Sequence, residues 1–88
     1  MKNITVVFRY NSENEAIQTQ DSMILEDVIQ QAIDQGRIPG LKNTYGLTAS
    51  KEGSDAALNL NQTLAKNGIY DGDVIDLGLP TKAGCFNN

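Results

Sequence analysis

Ile69-Tyr70-Asp71-Gly72-Asp73-Val74-Ile75-Asp76-Leu77-Gly78-Leu79 is the stretch on which the reading of this chain turns. Its first half is turn chemistry, with Asp71 and Asp73 on either side of a conformationally free Gly72. Its second half alternates, placing Ile75, Leu77 and Leu79 on one face, as a half-buried strand does. Pro80 donates no hydrogen bond to a ladder and ends the pairing. Asp76 faces solvent within an otherwise apolar strand, where a charge discourages edge pairing. The cluster Asp71, Asp73 and Asp76 raises calcium as a reading, but a loop of the EF-hand type needs more ligands at its own spacing. The turn reading is preferred, and no metal or other cofactor is expected.

Working back toward the N-terminus, Leu64 and Ile69 are apolar anchors around a Lys66-Asn67-Gly68 turn, with a single helical turn at 62–66. Leu58 and Leu60 predict a short fourth strand, and Lys51–Asp55 an exposed turn. Thr44–Ser50 predicts a third strand with Tyr45 and Leu47 inward, weakened by Gly46. Residues 23–35 carry a helical stripe: Leu25, Val28, Ile29, Ala32 and Ile33 recur at i, i+3, i+4, i+7 and i+8. Asp21-Ser22 offers N-cap oxygens, Gly36 is a natural stop, and Pro39-Gly40 prevents continuation. Ile4–Tyr10 and Glu15–Gln20 read as a hairpin around the Asn11–Asn14 turn.

The order is strand, strand, helix, strand, an optional short strand, strand. One helix across one face of a mixed sheet buries both its own stripe and the sheet's apolar face. The first and last strands are expected side by side and parallel at the centre. Leu25, Val28, Ile29, Ile33, Ile4, Val6, Ile69, Ile75 and Leu77 are the expected core.

Composition narrows the function. The chain of 88 residues has room for one core. Eleven acidic residues against seven basic leave a formal charge of −4, which argues against nucleic acid as a partner. The sequence has no His, and Cys85 is its single cysteine. A His-based triad, a Cys/His zinc site and an internal disulfide are therefore excluded within one chain. Neither a P-loop nor a GxGxxG is present. No apolar run reaches the ~20 residues of a membrane span, and Met1–Thr5 has no signal-peptide character, so a cytoplasmic location without membrane insertion is expected. Binding, carrying or being attached remain as roles, and enzymatic activity is not expected.

Leu58-(x5)-Leu64-(x4)-Ile69-Tyr70-Asp71-Gly72-Asp73-Val74-Ile75-Asp76-Leu77 resembles the closing segment of the ubiquitin-like family. The Ile-x-Asp-Gly-Asp turn is similar to that of bacterial members of the YukD type. The resemblance covers residues 3–84 and implies an α+β fold of the β-grasp kind, with a mixed four- to five-stranded sheet and one main helix. It implies a domain over residues 1–80 followed by a flexible tail over 81–88.

Laid on ubiquitin without a gap from Ile69 onward, Ala83-Gly84 falls where conjugated modifiers carry their paired glycines. Lys82 then stands where a basic residue precedes them, and Ala83 departs from the pattern. The resemblance implies a bacterial ubiquitin-like modifier made as a precursor. A processing peptidase would trim it near Gly84, an adenylating enzyme would activate its carboxylate, and a conjugating enzyme would transfer it. The mature end is Gly84, or Cys85 if cleavage falls one residue later. A non-conjugated interaction module of the YukD type, accessory to a secretion system, is the alternative. A sulfur carrier is a third reading, which the residues beyond Gly84 disfavour. Gly78 and either Gly46 or Thr48 occupy the positions of ubiquitin's apolar patch, so that patch is expected to be absent. The lysines read as solubilising charges, and the chain as a monomer.

Overall fold

The computed structural model describes residues 2–54 and 56–79. β1 (Asn3–Tyr10) and β2 (Glu13–Gln20) form an antiparallel hairpin in which Tyr10 pairs with Glu13. The connection is therefore two residues, Asn11 and Ser12, both at positive φ (52° and 67°). That left-handed pair matches the twist of the flanking strands, and it is tighter than the four-residue turn the sequence predicts.

α1 (Leu25–Asp34) buries Leu25, Val28, Ile29 and Ala32, while Ile33 lies partly buried at the rim of the core rather than within it. The expected cap at Asp21-Ser22 is not what starts the helix. Ile24 occupies the cap position in extended geometry, bridges to Thr63, and makes no side-chain cap. The first N–H groups of the helix are satisfied from elsewhere in the chain: Leu25 N donates to Gln62 O at 2.9 Å and Glu26 N to Leu60 O at 3.0 Å. Asp21 instead accepts from the Lys2 backbone N–H at 3.0 Å. The other end follows expectation. Gly36 has φ +71°, and Arg37 N reaches back to Ala32 O at 2.9 Å, a Schellman closure.

Beyond the helix, Ile38-Pro39-Gly40-Leu41 is a turn closed by Leu41 N to Ile38 O at 3.2 Å, with Gly40 at φ +90°. It folds Ile38 and Leu41 into the core. The third strand is shorter than expected. Thr44–Leu47 is a second turn, closed by Leu47 N to Thr44 O, so Tyr45 is 89% exposed while Leu47 is buried. Only β3 (Thr48–Lys51) is strand.

Leu58 and Leu60 form no strand. A single bridge, Ser50 with Ala57, remains, together with a bond from Leu58 N to Ala49 O. The expected helical turn appears further along, with Asn67, Gly68 and Ile69 N–H groups returning to Thr63, Leu64 and Ala65 carbonyls. Asn67 holds this region: its Oδ1 accepts from Asn59 N at 2.8 Å, and its Nδ2 donates to Asn59 O at 2.8 Å and to Thr63 O at 3.1 Å.

β4 (Val74–Gly78) completes the sheet, whose order is β2-β1-β4-β3. β4 runs parallel to β1, with Val7 opposite Val74, Phe8 opposite Ile75 and Arg9 opposite Asp76, and antiparallel to β3. Ile75 and Leu77 are buried, whereas Leu79 has passed the end of the strand and is 45% exposed. The core also contains Phe8, Ile17, Ala49 and Leu64, drawn from every strand and the loop before β4. Among the described residues, no helix is long and apolar enough to cross a membrane.

Two substitutions test this architecture. Ser12→Gly removes a side chain from a left-handed position and is expected to raise stability by roughly 0.5–1 kcal/mol in urea unfolding. Asn67→Ala leaves backbone groups of the 59–63 loop without partners and so loosens the segment that caps α1. A loss of about 1–3 kcal/mol is expected in the same assay.

Candidate interaction surface

α1 covers one face of the sheet, and alternation turns the other outward. That open face carries Thr5, Val7 and Arg9 from β1, Ala16 and Gln18 from β2, Thr48 and Ser50 from β3, and Val74, Asp76 and Gly78 from β4. Its centre is charged. Arg9 Nε lies 2.5 Å from Asp76 Oδ1, and Arg9 Nη1 lies 2.9 Å from Glu52 Oε2. The two carboxylates, Asp76 first and Glu52 second, raise the guanidinium pKa above its ordinary value. Such half-exposed pairs add little stability singly, but here two carboxylates from two segments share one guanidinium and order the middle of the face.

The role expected for Asp76 is thereby corrected. β4 is an interior strand with a neighbour on each side, so Asp76 guards no edge and serves as Arg9's partner. Thr48 and Gly78 stand side by side, with Thr48 Oγ1 donating to Gly78 O at 3.0 Å, and Gly46 belongs to the preceding turn instead. The positions compared with ubiquitin's patch therefore present a hydroxyl and a bare backbone. Tyr45 and Leu79, with Gly40, Leu41, Lys42 and Asn43, line a shallow groove near the end of β4.

Each turn aspartate has its own partner. Asp71 Oδ1 accepts from Thr5 N at 2.7 Å, and Gly72 N returns a bond to Thr5 O at 2.7 Å. Asp73 Oδ2 accepts from Tyr70 N at 2.8 Å and lies 3.1 Å from Lys51 Nζ. Lys51 Nζ also donates to Gly68 O and sits 5.1 Å from the centre of the Tyr70 ring, tying the edge strand β3 to the turn. Lys51 is thus a structural clamp rather than a solubilising charge. Among the described residues, no cluster of three or more His, Cys, Asp or Glu is placed to hold a metal. The residues singled out from the sequence for processing and attachment, Ala83, Gly84 and Cys85, lie outside the described residues, as does the whole expected tail.

Sequence reasoning missed the Glu52–Arg9–Asp76 network. Its signal was present: Arg9 and Asp76 both sit on outward positions of strands expected to be parallel neighbours. The partner of Lys51 had no such signal, because it depends on how a loop folds over an edge.

No family model and no curated protein matches the sequence. Solved structures match over nearly the whole chain. The C-terminal ubiquitin-like domain of mouse tubulin-specific chaperone e has a TM-score of 0.69 at 17% identity, over 94% of this chain and 92% of that one. The ubiquitin-like domain of Arabidopsis thaliana protein At2g32350 has a TM-score of 0.68 at 13% identity, over 98% and 87%. A designed protein based on ubiquitin has a TM-score of 0.70 at 15% identity, over 96% and 95%. At these identities the likeness shows the fold alone. The chain is an α+β protein with the ubiquitin-like β-grasp fold.

The Asp73 carboxyl is held below its ordinary value of 3.8, first by the Tyr70 N–H and then by Lys51. Folding therefore favours the ionised form. The resulting stabilisation is complete above the unfolded value and is lost as pH falls through the depressed folded one. Asp73→Asn keeps an acceptor for Tyr70 but removes the charge. Its melting temperature is expected to lie below the parent's by a constant amount above about pH 5, and to converge on it only as pH falls from there through the depressed folded value.

Proposed function

We propose that this chain is a ubiquitin-like protein modifier of the bacterial kind, with no catalytic groups of its own. A peptidase trims it near Gly84, an adenylating enzyme activates the exposed carboxylate, and a conjugating enzyme transfers it to a target. The observation that carries this reading is where the chain leaves the sheet. β4 is an interior strand hydrogen-bonded on both sides, and Gly84 follows its last residue, Gly78, by six positions. A carboxylate at Gly84 would therefore be tethered to a rigid handle, within roughly 20–22 Å of it at full extension. Glycine suits the role because a side chain beside the reacting carboxylate would obstruct a narrow channel. Residues 1–80 serve as the handle, and the tail over 81–88, once trimmed near Gly84, presents the carboxylate.

The chemistry asked of the chain is small. Its carboxylate attacks the α-phosphorus of ATP and pyrophosphate leaves. A thiolate or hydroxyl of the enzyme then displaces AMP from the acyl-adenylate. The outer face, with Arg9 and Asp76 at its centre and Thr48 beside Gly78, supports partners other than receptors that seek an apolar patch.

Four forms test the reading with the cognate adenylating enzyme and ATP, scored by adduct mass: full length, ending at Cys85, ending at Gly84, and the Gly84-ending form with Gly84→Val. The Gly84-ending form is expected to be adenylated and the full-length form to be inert. Gly84→Val is expected to block the step without moving the melting temperature. Activity only in the Cys85-ending form moves the attachment point by one residue. If no form is adenylated, conjugation fails as a reading and a non-conjugated interaction module of the YukD type replaces it.

A further inference from the structure

β2 is one of the two rim strands of the sheet, and it is eight residues long. Asp21 N donates to Lys2 O at 2.9 Å, which sets the phase of the ladder: Glu13, Glu15, Ile17 and Thr19 direct their backbone groups at β1. Asn14, Ala16, Gln18 and Gln20 therefore direct theirs away from the sheet. A row of this kind is a template for another strand, and proteins usually blunt it with Pro, Lys or a bulge. β2 has none of these: its sequence is ENEAIQTQ and its pairing is continuous.

One outward carbonyl is nevertheless engaged by a side chain from another element. Arg37 Nη2 donates to Ala16 O at 3.0 Å. The same guanidinium is held by Glu15 Oε2, at 2.9 Å from Nε and 2.7 Å from Nη2. Arg37 is itself fixed at the end of α1 by its N–H bond to Ala32 O. Gln20 O is taken by Met23 N at 3.1 Å. A two-fold antiparallel pairing of two β2 edges centred on Ala16, Ile17 or Gln18 requires the Ala16 carbonyl in the ladder. The guanidinium stands in that place.

We propose that Arg37, clamped by Glu15, is an edge guard that keeps the chain monomeric by denying the β2 edge to a second copy of itself. The device joins a planar fork of donors to two acceptors at once, a geometry that lysine does not reproduce. It is independent of whether the chain is conjugated.

The test is mass by sedimentation velocity across a concentration series, with amide exchange of Ala16 and Gln18 in the same samples. The parent is expected to remain a monomer, with both amides exchanging equally fast at every concentration. Arg37→Ala is expected to double in mass as concentration rises, with both amides gaining protection. Adding Gln18→Pro, which deletes an outward N–H, is expected to restore the monomer. Glu15→Ala releases the clamp while leaving the helix end intact and is read in the same way, should Arg37→Ala not fold. A folded Arg37→Ala or Glu15→Ala that stays monomeric throughout overturns the proposal. So does a parent that already dimerises with Ala16 and Gln18 protected.

Discussion

The parallel pairing of β1 with β4 is the constraint on which the rest of the structure depends. Strands far apart in sequence meet at the centre of the sheet, and the turn Tyr70–Asp73 sets their register. Asp71 and Gly72 exchange bonds with Thr5, and Val7 N then takes Asp73 O at 2.9 Å. From there Phe8 and Ile75 lie side by side beneath α1. A slip of one residue would turn Ile75 and Leu77 to water and Val74, Asp76 and Gly78 to the core. The turn is thus a register device: Asp71 is committed to the Thr5 N–H, and Asp73 to the Tyr70 N–H with Lys51 Nζ beside it.

A second dependence runs through the loop before that turn. The carbonyls of Leu60 and Gln62 close the N-terminus of α1, and Asn67 holds the segment that contains them. Helix and loop are therefore joined through shared backbone groups. Leu64 plugs the core, fully buried. A domain this small buries limited apolar surface, so sharing backbone groups between elements matters more than it would in a larger one.

The two sides of the sheet divide the work. The covered face is apolar at its centre, with Glu15, Thr19 and Lys51 on the outer strands, and the open face is organised by one arginine between two carboxylates. Charge at the centre of an open face suits specific, steered contacts more than broad hydrophobic docking. The exposed Tyr45 and Leu79 lie near the end of β4, where the domain gives way to the segment bearing Gly84.

Much of this was legible from local pattern. Period-2 alternation placed Ile4, Val6, Ile75 and Leu77 inward, and period-3.6 recurrence placed Leu25, Val28, Ile29 and Ala32 beneath the sheet. Gly36 and the Asp71-Gly72-Asp73 turn were readable because positive φ and short carboxylates have few alternative uses. What misled was the assumption that local signals act locally. Asp21-Ser22 looks like a helix cap, yet the carbonyls of Leu60 and Gln62 take that role from nearly forty residues away. Tyr45 looks like an inward strand residue, but Gly46 at φ +71° makes it the exposed corner of a turn. The sequence by itself determined which residues are apolar at which period, and hence the elements and their order. Only the tertiary structure decided where unpaired backbone groups and charged tips found partners, as with Arg9 and Asp76, Lys51 and Asp73, and Arg37 and Ala16. Those partners are chosen by proximity in space, and proximity exists only once the core has closed.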